Sequence, residues 1–250
     1  MQRYFVKLCY KGTRYHGWQY QPNALSVQEV VEKAFSVILQ EKIEVTGAGR
    51  TDTGVHASFY VLHFDSHHTD IEERLVSGMN GILPYDIAIN SIYKVPDEAH
   101  ARFSALSRTY KYYIHQNKNP FLADTSFHFR RKLNIDRMNE ASNVLYQITD
   151  FTSFSKLHSD VKTNFCKIFY AQWEQEKEQI IFTVKADRFL RNMVRALVGT
   201  LIEVGLGKIS TEKFVEIINE KNRSAAGASV PPTGLFLTDI EYPDFAWQGN

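Results

Sequence analysis

Two stretches of this 250-residue chain present the same order of strand and helix signals, and that repetition limits the fold more than any single motif. In the first, Arg3 to Tyr10 alternates Tyr4, Val6, Leu8 and Tyr10 against polar neighbours, the period of a half-buried strand. Ser26-Val27-Gln28-Glu29 is a capping box. It opens a helix with Val27, Val30, Val31, Ala34, Phe35, Ile38 and Leu39 at the helical period. A strand at 42–46, a glycine-rich loop and a strand at 58–64 follow. Asp70-Ile71-Glu72-Glu73 starts a second helix that ends near Asn80-Gly81, and a strand around Ile87 to Ile89 completes the order β-α-β-β-α-β.

The second stretch runs similarly. A strand covers Thr109 to His115, and a helix after Asn134 places Ile135, Met138, Ala141 and Leu145 on one side. Strands are expected at about 165–173 and 179–186. A helix from about 188 to 204 buries Leu190, Val194, Leu197 and Leu201, a short helix follows near 211–219, and a strand at Leu235 to Tyr242 finishes the chain. The expected class is therefore α+β: two similar ferredoxin-like or RRM-like halves, 1–104 and 105–250, each a sheet flanked by helices. Two such halves side by side would leave a central cleft, the usual location for a large substrate.

Between the strands at 42–46 and 58–64 lies Gly47-Ala48-Gly49-Arg50-Thr51-Asp52-Thr53-Gly54-Val55-His56-Ala57. Its glycines allow a tight turn and close approach by another molecule. A third glycine is missing where the dinucleotide fingerprint needs it, because Asp52 stands there, and the Gly-Lys-Ser/Thr of a phosphate loop is absent. A carboxylate at that point would also repel a phosphate. What remains is an acidic group, with Arg50 two residues before it, held in a loop on a scaffold.

The net charge of +1 leaves nucleic-acid binding to local clusters rather than to the whole surface. Such clusters exist. Arg130-Arg131-Lys132 form a run, Arg102, Arg108 and Lys111 surround an aromatic strand, and the spacing of Arg188, Arg191 and Arg195 predicts one helical face. No run approaches membrane-spanning length, and the N-terminus lacks the apolar region of a signal peptide. Cys9 and Cys166 form no CxxC, so a reducing cytoplasm is the expected compartment and Cys9 is expected to pack. His56, His63, His67 and His68 lack a second matching cluster, so no metal site is expected.

Three more segments join the loop: Gly12-Thr13-Arg14-Tyr15-His16-Gly17-Trp18-Gln19, the stretch Ala101 to Tyr112, and Phe189 to Arg195 ahead of Val198-Gly199-Thr200-Leu201. Interleaved aromatic and basic residues suit RNA, whose splayed bases stack on rings while phosphates meet Arg and Lys. Together these segments closely resemble the TruA family of tRNA pseudouridine synthases, from Tyr10-Lys11-Gly12-Thr13 to Gly234-Leu235-Phe236-Leu237. Phe151-Thr152-Ser153-Phe154 and Gly205-Leu206-Gly207-Lys208 add further matches.

The resemblance implies the pseudouridine synthase fold, two halves around a central catalytic cleft, a homodimer, and neither cofactor nor metal. It also implies a substrate, the uridines at positions 38 to 40 of the tRNA anticodon stem-loop. In the implied reaction the N1–C1′ bond breaks, the uracil turns while bound, and C5 bonds to C1′. Asp52 matches the family's catalytic aspartate. Attack at C1′, proton removal from C2′ to give a glycal, and attack on the base all remain open routes. Arg195 matches the basic partner that keeps such a carboxylate ionised. Tyr110 matches the tyrosine that stacks on the uracil and whose hydroxyl can take part in proton removal from C5. Arg50 matches the arginine that fills the space of the flipped base, and Arg188 and Arg191 are expected to contact RNA.

Three positions depart from the family pattern: Thr53 replaces a commoner alanine, Ala228-Ser229-Val230-Pro231 a Pro-Thr-Ala-Pro stretch, and Lys162-Thr163 an Arg-Thr. A catalytically silent RRM-like RNA-binding protein and an active synthase with a different RNA target are the competing readings.

Overall fold

The structure, a computed structural model, describes residues 1–69, 71–156 and 163–244. It divides into two compact units, one of Met1–Ser107 plus the chain from Leu237 onward, the other of Arg108–Phe236. The final strand thus changes unit near its start, a return that a linear reading of the two halves does not contain.

In the first unit the strand order is β4-β1-β3-β9. β1 (Gln2–Tyr10) pairs antiparallel with both β3 (His56–Ser66) and β4 (Ile87–Val95), and β9 (Leu235–Glu241) follows β3. The alternation of β1 buries Tyr4, Val6, Leu8 and Tyr10 as expected, but Phe5 on the opposite phase is equally buried. Tyr242 covers it edge-on at 5.3 Å. α1 (Val27–Leu39) starts where the capping box places it, with Ser26 Oγ accepting from the Glu29 amide at 3.2 Å. The Glu29 carboxylate turns instead to Lys33, at 2.6 Å. α2 (Glu72–Ile82) continues past Asn80-Gly81; Asp70, expected to start it, lies outside the described residues.

The strand expected at 42–46 shrinks to β2 (Thr46–Gly47), paired with β3. The alternation was sound, since Ile43 and Val45 are buried. Their amides, however, are taken by side chains of α1: Ser36 Oγ accepts from Ile43 at 3.0 Å and Glu32 Oε1 from Val45 at 2.9 Å. Those donors are therefore lost to a ladder.

In the second unit β5 (Ser107–His115), β8 (Gln179–Ala186) and β7 (Ile168–Glu176) form antiparallel neighbours, and β6 (Phe127–His128) adds a short parallel pairing to β5. The sheet is thus mixed. α3 (Ile135–Asn143) is capped by Asn134, whose Oδ1 accepts from the Arg137 amide at 3.0 Å. α5 (Thr211–Asn219) is capped by Ser210 in the same way. Between them α4 (Met193–Gly205) is buried almost all round, the mark of a helix enclosed by other elements rather than lying on a surface. Trp173 and Phe182 stack at 4.7 Å between β7 and β8. Both units are α+β, sheets with helices packed on them.

One sequence expectation fails here. The helix predicted from about 188 begins only at Met193, so Arg188 and Arg191 precede it and Arg195 alone of the three is helical. Asn192 is the break: its φ of 66° is left-handed, a conformation Asn tolerates and a continuing helix does not. Its side chain donates to Ser229 Oγ at 2.6 Å, which holds it there.

Candidate active site

Asp52 sits half-buried in the loop between β2 and β3, and nearly every residue around it is fixed by a separate contact. Ala48 donates to the Val61 carbonyl at 2.8 Å, continuing the line of β2 against β3. Tyr60 on β3 donates its hydroxyl to the Gly49 carbonyl. Thr51 Oγ1 and the Tyr10 hydroxyl share a buried hydrogen bond of 2.8 Å. Val55 donates to the Asp52 carbonyl at 3.1 Å, closing a turn that Gly54 permits with its φ of 77°. Beneath lie three rings, with Trp18 4.2 Å from Tyr60 and Tyr10 edge-on to Tyr60 at 5.6 Å. Gly47 belongs to the same packing, since a Cβ there would stand 2.2 Å from the Tyr60 hydroxyl and 2.4 Å from the Trp18 nitrogen.

The segment 11–19 backs this loop from its other side. The Gly12 amide donates to His56 Nδ1 at 3.0 Å, Gly54 donates to the Tyr15 carbonyl at 3.2 Å, and Trp18 donates to the Thr51 carbonyl at 3.4 Å. Two glycines make the approach possible. A Cβ on Gly12 would stand 1.9 Å from the Val55 carbonyl oxygen, and one on Gly17, whose φ is 86°, 2.2 Å from that of Thr51. Gln19 at the end of the segment accepts from Arg50 Nε, tying the exposed guanidinium to the backing segment. Thr53, the departure beside Asp52, is exposed. A half-buried carboxylate on so constrained a backbone can act as nucleophile or base without first being ordered.

The remaining predicted residues belong to the second unit. Tyr110 on β5 lies opposite Val184 of β8 and meets Phe189 edge-on at 5.1 Å. Phe189 stands in the turn of Arg188 and Arg191, so the tyrosine ring and the two arginines share one neighbourhood. That turn is held by backbone: Asp187 Oδ1 accepts from the Lys167 and Arg188 amides at 2.8 and 2.7 Å, and Lys156 donates to the Arg191 carbonyl at 3.1 Å. Arg188 reaches Thr163 Oγ1 at 3.4 Å, and Arg191 is exposed. Lys162, beside Thr163, lies outside the described residues.

Arg195 is half-buried on α4 and bonded twice to one residue: its Nε donates to the Val230 carbonyl at 2.8 Å, and the Val230 amide donates to its carbonyl at 3.2 Å. Gly199 brings Ala228 against the same helix, a Cβ there falling 1.9 Å from the Ala228 oxygen. Arg223 adds a bond to Ser229 Oγ at 2.8 Å. The segment Ala228-Ser229-Val230-Pro231 is therefore seated on α4 although its sequence departs from the family pattern. Tyr112 donates to the Pro231 carbonyl at 2.8 Å. Burial raises its phenol pKa, against the opposing charge of Arg195, so this hydroxyl stays protonated.

Among the described residues, no group of three or more His, Cys, Asp or Glu side chains is placed to hold a metal ion. His63 is buried, packs 4.6 Å from His100 and accepts from the Ala101 amide at 3.1 Å. Burial pushes it down to about 4, aided by the charges of His100 and Arg3. Burial also pushes the Cys9 thiol up, and that of Cys166 up to about 12, so neither is a thiolate near neutral pH. Arg130, Arg131 and Lys132 are exposed. Sequence reading named Tyr10 and Gln19 within their segments without giving them these contacts, and it gave no place behind the loop to Tyr60 or to the buried Asp86 that Tyr15 reaches at 2.6 Å. Only the Pro84-Tyr85-Asp86 turn signal stood near the last of these.

Comparison with known proteins identifies the family. A family model described as tRNA pseudouridine synthase matches residues 9–104 and 148–243, the aspartate loop falling in the first match and Arg188, Arg191 and Arg195 in the second. The tRNA pseudouridine synthase A of Bacteroides fragilis is 52% identical over 245 residues, 97% of each chain. That of Bacteroides thetaiotaomicron is 51% identical, covering 98% of this chain and 92% of its own. The namesake from Azobacteroides pseudotrichonymphae is 49% identical, covering 99% and 100%. A solved dye-decolorizing protein from V. cholerae aligns at a TM-score of 0.19 and 10% identity, too low to inform the fold. With a family model spanning most of its length and half its residues shared with full-length relatives, the chain belongs to the tRNA pseudouridine synthase family.

Proposed function

We propose that this enzyme converts uridine to pseudouridine at positions 38, 39 and 40 of the tRNA anticodon stem-loop, with Asp52 acting at the glycosidic centre. The observation that carries the reading is the Asp52 loop, whose backbone is fixed by β3, by the ring cluster and by the 11–19 segment. In the proposed reaction the N1–C1′ bond breaks, the uracil turns, C5 joins C1′, and the proton on C5 is lost while N1 gains one. Tyr110 stacks on the uracil, and its hydroxyl assists removal of the C5 proton. Arg195 supplies the positive charge that keeps Asp52 ionised, and Arg50 occupies the space of the flipped base. Arg188, half-buried, and Arg191, exposed, meet the RNA backbone from a turn ahead of α4 rather than from a helix face.

The half 1–104 contributes the aspartate loop and the half 105–250 the tyrosine and the arginines, in a cleft between them. The active form is a homodimer working in the cytoplasm without cofactor or metal. No described helix is long and apolar enough to cross a membrane. The test is pseudouridine mapping on tRNA incubated with the wild type and with Asp52→Ala. Conversion at 38 to 40 by the wild type alone supports the whole reading. Conversion elsewhere keeps the chemistry and reassigns the target, and tight tRNA binding with no conversion favours a silent RNA-binding protein.

A further inference from the structure

Asp86 is a buried carboxylate that the reaction does not use, its side chain 2% exposed, in the turn ahead of β4. Three different groups of the 11–19 segment meet it. The Tyr15 hydroxyl donates to Oδ1 at 2.6 Å, Arg14 Nη1 reaches Oδ2 at 3.4 Å, and the Lys11 amide donates to its carbonyl at 2.8 Å. Burial and the Asp86 charge both raise the Tyr15 phenol pKa, so the phenol remains the donor at every working pH. Tyr15 in turn accepts from Gly54 through its backbone, two residues from Asp52, while Gly12 and Trp18 on either side hold His56 and Thr51. A buried charge is retained at a cost in desolvation and needs its partners in place, so losing it loosens what it holds.

We propose that Asp86 is a positioning residue for the Asp52 carboxylate, acting through Tyr15 and the 11–19 segment and touching no reacting atom. The inference rests on the isomerase reading above. It gives Asp86 a larger role in kcat than in RNA affinity, because Arg188 and Arg191, the arginines assigned to the RNA backbone, belong to the second unit, whereas the segment Asp86 holds lies in the first.

The experiment measures kcat and KM on tRNA for the wild type, Asp86→Ala, Asp86→Asn, Tyr15→Phe and the Asp86→Ala/Tyr15→Phe pair, at a temperature where circular dichroism shows each folded. Displacement of a reacting group by an ångström costs on the order of a hundredfold, so Asp86→Ala should lose kcat by about that factor with KM within about threefold. Asp86→Asn keeps an acceptor for Tyr15 and should recover most of the loss. Tyr15→Phe should lose kcat by about tenfold, and the pair no more than Asp86→Ala alone. Should Asp86→Ala fail to fold, Tyr15→Phe decides. A kcat within twofold of wild type in Tyr15→Phe, or losses shared equally by KM, would overturn the inference while leaving the isomerase reading intact. A wild type that makes no pseudouridine in any tRNA would overturn that reading and this inference with it.

Discussion

The Asp52 loop and the Arg188–Arg191 turn are built on opposite plans. The first is held at almost every residue, by Gly47, which has no room for a Cβ, by a ring cluster and by a second segment whose Gly12 and Gly17 let it press close. The second is fixed through its backbone, at Asp187, Arg188 and Arg191, while the side chain of Arg191 stays exposed. The contrast fits the two tasks proposed for these regions. A carboxylate that reacts at one carbon must be placed to a fraction of an ångström. Arginines that meet phosphates need charge and reach more than a fixed pose, and a long side chain on a firm backbone gives both.

The sharpest way to break the contrast is to disturb the loop without touching a charged group. Gly17→Ala adds one methyl group at a φ of 86° and 2.2 Å from the Thr51 oxygen, so backbone must shift. Activity should fall by about a hundredfold or more with tRNA affinity nearly unchanged, read as kcat against Kd. Gly49→Ala is the control within the same loop, since a Cβ there meets nothing within 4 Å. Its activity should stay within a few-fold of wild type.

The next effect concerns the strand that carries the loop onward. His63 on β3 accepts a proton only below about 4 when folded, whereas an unfolded histidine does so near 6.5. Between those values the unfolded chain binds the extra proton. The stability is therefore complete above about pH 6.5 and is lost as pH falls toward 4, by up to about 3 kcal/mol. Urea unfolding across that range should show the slope. His63→Asn should flatten it.

Tyr110→Phe keeps the ring against Phe189 and removes only the hydroxyl. Binding should hold, and turnover should slow by about tenfold or more if the hydroxyl moves a proton. Normal turnover would leave stacking alone. The smallest effects belong to the open arginines. Arg191→Ala should weaken tRNA binding by a few-fold and lower the slope of log affinity against log salt by about one. An equal loss of kcat with unchanged affinity would erase the distinction between the two regions.

What was legible in the sequence was local. Ser26 and Asn134 cap their helices where the text of the chain puts them, and the Asp52 loop stands between strands as its glycines require. The misreadings arose where distant groups intervened. Residues 42–46 alternate like a strand, yet Glu32 and Ser36 of α1 take their amides. Arg188, Arg191 and Arg195 are spaced like a helical face, yet one left-handed Asn192, tied to Ser229, ends the pattern. The 11–19 segment that backs the loop was legible as a motif, but its contacts were not, because Tyr10 and Tyr60 act from neighbouring strands and Asp86 from the turn before β4, and no spacing joins them to Asp52.

The most direct test of the central claim follows the hydrogen that isomerisation must displace. Transcribed tRNA labelled with tritium at uridine C5 would be incubated with the wild type and with Asp52→Asn, which keeps the shape of the side chain and removes its charge. The account predicts one tritium released per converted uridine by the wild type and none above background by Asp52→Asn, with tRNA affinity within a few-fold. Release by Asp52→Asn at the wild-type rate would contradict it.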